Sequence, residues 1–153
     1  MTASDTQVHS LFAMAVHGSA DDQGWGQAKK LTDNDGNTTW VTAAHVLRWR
    51  VPRLCVLASC NSPITTPDGI ELGGFPLALM LRGATTVIGG LYNISDKDTS
   101  DIMIAFWRYL ANGENPLSAL RHAKLDYFDY NPGHRHNWPD YWAGLIAYGA
   151  ANT

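Results

Sequence analysis

The stretch LCVLASCNS, residues 54–62, decides how this chain is read. It runs through apolar residues, as a strand covered on both faces does, and stops at Cys60 followed by Asn61 and Ser62. Upstream, LFAMAVHGS at residues 11–19 has the same form and stops at His17 and Gly18. Two further runs are short, apolar and rich in β-branched or aromatic residues. With these, the expected strands are Val8 to Val16, Leu54 to Ser59, Thr85 to Tyr92 and Tyr141 to Tyr148.

Helical signals lie between them. TAAHVLRWR at 42–50 opens on Thr42 as a cap and is followed by Pro52; the next helix covers roughly Ile70 to Arg82 and stops at Gly83. The clearest is SDKDTSDIMIAFWRYLANG, 95–113. There Ser95 and Asp98 have capping-box spacing, Ile102, Phe106, Tyr109 and Leu110 share a face, and Gly113 stands where a left-handed cap belongs. Asn115 and Pro116 open a further helix that fades near Tyr130, with proline in the first turn, where its missing N–H costs nothing. Strands alternating with helices predict an α/β fold with a mainly parallel sheet and helices on both faces. The last strand follows two successive helices, which leaves its direction open. The Gly-, Asp-, Asn- and Thr-rich segment Asp21 to Thr39 reads as a loop or small hairpin projecting from the sheet.

Composition bounds the function. The 153 residues suit one domain, residues 1–153, which hides roughly two-thirds of its unfolded surface. With 45% apolar and 16% charged residues the chain is globular, and no apolar run reaches the roughly 20 residues of a membrane helix. A net charge of −3 without basic clusters argues against nucleic acid as a partner. The start, MTASDTQVHS, carries no secretion signal, and two cysteines on one strand-like run make no disulfide framework. A reducing cytoplasm is the natural compartment.

In parallel α/β sheets, ligands bind beyond the carboxyl ends of the strands, where both His17 and Cys60 fall. If their strands are parallel neighbours, the two ends lie about 5 Å apart, which suits a cysteine nucleophile with a histidine base. The thiolate is the attacking form, and an imidazole beside it takes the proton. Gly18, without a side chain, lets its backbone N–H approach a developing oxyanion together with the N–H of Cys60. The structural alternative is that Cys60 ends a buried strand as a small apolar residue and His17 caps a turn.

A resemblance shifts that balance. AVHG at 15–18, LCVLASCNS at 54–62, residues 68–125 and YWAGLIAYG at 141–149 resemble, in order and over nearly the whole chain, the CHAT peptidases, caspase-like cysteine peptidases related to separase. The resemblance implies a caspase-like three-layer sandwich and cleavage of peptide bonds by a dyad of His17 and Cys60, with Gly18 and Cys60 supplying the oxyanion-hole amides. It implies no cofactor, a protein or peptide substrate, and action in bacterial signalling or defence beside a sensor module or upstream segment. Such domains have two strands ahead of the histidine strand, so the chain reads as one lacking them. Its strand VHSLFAMAV, 8–16, has no charge or proline to protect an edge. Tyr92 and Asn93 stand where the family shows Trp and a polar or acidic residue.

Asp96, after the third strand, is the candidate substrate-binding carboxylate, with Asp98 second to it; acids in a first helical turn are also favoured by the helix dipole alone. His134 and His136 make a single His-x-His, too little for a metal site, and ELGGF at 71–75 lacks the order of a phosphate loop, which sets aside a nucleotide-binding domain. The tryptophans read mostly as core, with Trp138 and Trp142, near the final strand, placed to line a substrate groove. From another class, the same residues allow an inactive caspase-like scaffold or regulatory interaction module.

Overall fold

Residues 10–15, 18–19, 28–58, 74–92, 94–130 and 138–150 are described by a computed structural model. Their strands are β1 (Leu11–Met14), β2 (Gly18–Ser19), β3 (Ala28–Thr32), β4 (Thr38–Thr42), β5 (Leu54–Leu57), β6 (Thr86–Gly90) and β7 (Leu145–Gly149). Their helices are α1 (Ala43–Val46), α2 (Gly74–Leu81), α3 (Asp96–Ala111), α4 (Pro116–Tyr130) and α5 (Pro139–Trp142).

All four residues of β5 are buried, and they alternate between two apolar clusters. Leu54 and Val56 join Ile102, Phe106, Ala119 and Ala123 of α3 and α4; Cys55 and Leu57 join Val46 of α1 and Phe75, Ala78 and Leu79 of α2. Because successive side chains of a strand point to opposite faces, the sheet divides the core in two, with helices on each side. The sheet order is β1-β5-β6-β7. β1, β5 and β6 are parallel, and β7 runs antiparallel to β6, which settles the direction left open. This is an α/β sandwich with a mainly parallel mixed sheet, consistent with the caspase-like architecture that the resemblance implied.

The helix signals act as read, with shifted ends. Ser95 Oγ accepts the N–H of Asp98 at the start of α3, and the helix hands over to Gly113 at φ +90°. Asn115 Oδ1 accepts the N–H of Ser118 and so caps α4. Thr42 caps α1, its N–H donating to Nδ1 of His45 at 3.0 Å. That helix is shorter than residues 42–50 because Arg48 and Trp49 tighten into bonds to the carbonyls of His45 and Val46, and the residue before Pro52 is disfavoured in a helix. The last expected strand starts late: Trp138 and Pro139 open α5, proline being preset for a first helical turn, and the strand begins at Leu145.

The segment read as a loop or hairpin supplies β3 and the start of β4, an antiparallel pair turning through Gly36 at φ +85°. Asp33 Oδ1 accepts the N–H groups of Asp35 and Asn37 inside that turn. β2 adds to the pair, with Gly18 opposite Lys29.

Candidate active site

β1 and β5 pair in parallel from Leu11↔Leu54 to Met14↔Leu57, so their carboxyl ends lie at the same end of the sheet as neighbours. The expected adjacency of the two strands is therefore met. His17 and Cys60, each three positions beyond the last paired residue, lie outside the described residues, as do His134, His136 and the ELGGF segment. Gly18 is placed by its backbone: it opens β2, held in register by Lys29 of β3.

Lys29 is fully buried, a position sequence reasoning missed because a lysine in AKKLT reads as solvated. Its ammonium stands 5.9 Å from the centroid of Phe75, in the first turn of α2. The strand that carries Gly18 is thus packed, through Lys29, against the helix that follows the segment bearing Cys60. A cation over an aromatic face gains about 0.5–2 kcal/mol.

Cys55 is the other thiol. It is fully buried, its Sγ donates to the carbonyl of Pro52 at 3.5 Å, and burial pushes its pKa up to about 12. At neutral pH it is protonated and shielded, without the thiolate that attack requires.

β6 is parallel to β5, so its carboxyl end lies at the same sheet end, and α3 begins shortly after it. Asp96, the first residue of α3, is exposed there. Asp98 differs. It is 3% exposed, Tyr127 Oη donates to its Oδ1 at 2.6 Å, and Ser95 Oγ is bonded to its Oδ2. Asp98 is thus engaged in joining the start of α3 to α4, a partnership across 29 positions that no local pattern announces. Of the tryptophans expected to line a substrate groove, Trp142 lines an apolar groove against α4, on the edge of the sheet away from β1, and Trp138 is 66% exposed.

Among the described residues no group of His, Cys, Asp and Glu is arranged to hold a metal ion, and no helix is long and apolar enough to cross a membrane. A search of curated proteins finds no match. The family model of the CHAT domain, in contrast, matches residues 8–150, nearly the whole chain and every element described above. With the parallel β1, β5 and β6, the antiparallel β7 and helices on both faces of the sheet, this match makes the chain a member of the CHAT domain family.

Proposed function

We propose that the chain is a cysteine endopeptidase in which His17 activates Cys60. The observation that carries this reading is the in-register pairing of β1 with β5, which brings the chain to equal distances, three residues, from each member of the pair. In the reaction, His17 takes the thiol proton and the Cys60 thiolate attacks the scissile carbonyl carbon. The oxyanion is met by the backbone N–H groups of Gly18 and Cys60. His17 then returns the proton to the leaving amine, giving an acyl-enzyme and the free amino terminus. Water, deprotonated by His17, attacks the thioester and releases the acid. No cofactor is needed.

Asp96, exposed at the same end of the sheet, is assigned to a basic side chain before the cut through a charge-assisted pair. A cytoplasmic setting with a sensor module or upstream segment as partner, and action in bacterial signalling or defence, belong to the same reading. The test is labelling by a thiol-directed peptide electrophile together with cleavage of a peptide library. Cys60→Ala and His17→Ala should abolish both, and Asp96→Ala should erase a preference for Arg or Lys. Labelling that survives Cys60→Ala overturns the dyad; a preference for acidic residues overturns the role of Asp96.

A second reading is supported by one observation: among the described residues β1 pairs on one side only, leaving its outer edge without a ladder. A scaffold or regulatory module completed by a partner strand fits that edge. Sedimentation of the chain decides: a stable monomer at micromolar concentration speaks against the need for a partner, and self-association or aggregation speaks for it.

A further inference from the structure

A groove of about 600 Å3 lies between α4 and β7, at the opposite edge of the sheet from β1. Specific ligand sites span roughly 300–1,000 Å3. Its walls are apolar, and Leu125 and Phe128 of α4 stand 45% and 42% exposed along it. The charged side chains lining it, Arg121 and Lys124, are both cations.

Neither forms an ion pair among the described residues; Asp126, close by in sequence, is taken by Arg108 and Tyr109. The ammonium of Lys124 stands 6.0 Å from the centroid of the Trp142 ring, and burial pulls its pKa below the usual value. Among the described residues the buried indole N–H of Trp142 has no acceptor. The groove's charged side chains are therefore both cationic donors, and a half-desolvated cation gains most from an anion brought to it.

Ile146 and Ala147 of β7 both line the groove. Consecutive strand residues point to opposite faces, so a groove touching both reaches around the outer edge of β7. Among the described residues β7 pairs with β6 alone, and its outer N–H and C=O groups have no ladder partner. The site thus joins three features: a strand edge, an apolar trough and uncompensated positive charge.

We propose that this groove docks an extended peptide segment that adds a strand to the outer edge of β7 and presents an acidic and a large apolar side chain on one face. The acid meets Lys124 and Arg121, the apolar side chain enters beside Phe128, and the backbone ladder supplies register. The proposal is independent of the peptidase reading, since it uses no residue of the dyad.

The test is fluorescence anisotropy with the full chain and a panel of labelled, blocked hexapeptides in which glutamate precedes leucine, isoleucine, phenylalanine or tryptophan by two positions, so that both share a strand face. At least one member should bind. Its affinity should fall about tenfold or more, some 1.4 kcal/mol, in the double variant Lys124→Met with Arg121→Met, and by a similar factor when lysine replaces its glutamate. Methylation of its backbone amides should abolish binding. No binding by any member up to about 1 mM, equal binding of the lysine peptides, or unimpaired binding of the methylated peptide overturns the proposal. So does binding of octanoate where every peptide fails, which would make the groove a site for small amphiphilic acids.

Discussion

Replacing Tyr127 by phenylalanine removes one hydroxyl and keeps the ring. That hydroxyl donates to Oδ1 of Asp98 at 2.6 Å, where Tyr127 is 6% and Asp98 3% exposed. A hydrogen bond to a carboxylate contributes about 1.5–3 kcal/mol. Because both partners of this bond are almost fully buried, the loss falls in the upper range, about 2–3 kcal/mol. For a domain of this length each kcal/mol moves Tm by about 2–4 °C, giving a drop of about 4–12 °C. Urea unfolding should show a lower midpoint at unchanged slope. Tyr109→Phe is the matched control: its hydroxyl also donates to a carboxylate, Oδ2 of Asp126 at 2.8 Å, but this bond is only partly buried and Arg108 holds the same oxygen. It should cost clearly less. The pH course follows from the phenol. Burial, and then the bond to Asp98, raise the pKa of Tyr127 above its ordinary value of 10.0. A pKa raised by folding gives stability that is whole below the unfolded value and fades as pH rises through the folded one. The gap between wild type and Tyr127→Phe should therefore hold below pH about 10 and narrow above it. A gap under about 0.5 kcal/mol at neutral pH, within the range of ordinary surface substitutions, or a larger loss in Tyr109→Phe, refutes the reasoning.

Gly149→Ala should be among the most damaging single changes. The backbone there is at φ +105°, and an added Cβ would stand 1.9 Å from the carbonyl oxygen of Thr85; a loss above about 3 kcal/mol is expected, and one below about 1 kcal/mol in urea unfolding would contradict it. Gly113→Ala, at φ +90° with nothing within 4 Å of the new carbon, should cost only about 1 kcal/mol, the conformational part alone. Native Cys55 should resist iodoacetamide at pH 8 and react once the chain is unfolded in urea; native labelling, read by mass spectrometry, would show its strand to be open. Because burial lifts its pKa from 9.0 to about 12, its share of stability holds below pH 9 and drains away above it, a loss that Cys55→Ala should not share.

The fold was legible where one local cause settles an element. β5 could be read because four consecutive apolar residues, buried on both faces, leave few other homes, and α3 because cap, stripe and terminal glycine agree. The first half of the Tyr141 to Tyr148 run was misread: it has the composition of a strand, yet the cap at Trp138 and the preset φ of Pro139 turn it into α5. At the site, the pairing of β1 with β5 was legible from two strands of like form, each ended by a reactive residue. Lys29 was not, because its burial depends on β2, β4 and Phe75, which meet it only in three dimensions. Asp98 was visible as half of a capping pattern, while its bond to Tyr127 belongs to how α3 crosses α4.

Helices α3 and α4 follow one another across a four-residue turn, 112–115, and together they furnish most of one side of the core, including Ile102, Phe106, Ala119 and Ala123. Their docking closes a short loop, whereas β1 meets β5 across a separation of 43 residues, Leu11 to Leu54. On closure entropy and contact order, the helix pair is expected to be the early event and the parallel ladder the late one. Phe106→Leu should then mainly slow refolding and Met14→Ala mainly hasten unfolding in denaturant-jump kinetics; the reverse partition would place the nucleus in the sheet. Under this order of assembly, the strands leading to His17 and Cys60 are made early in synthesis but come together last. A nascent chain would carry both halves of the proposed dyad apart until the helices are already in place, and so stay silent as a peptidase while it is still being built.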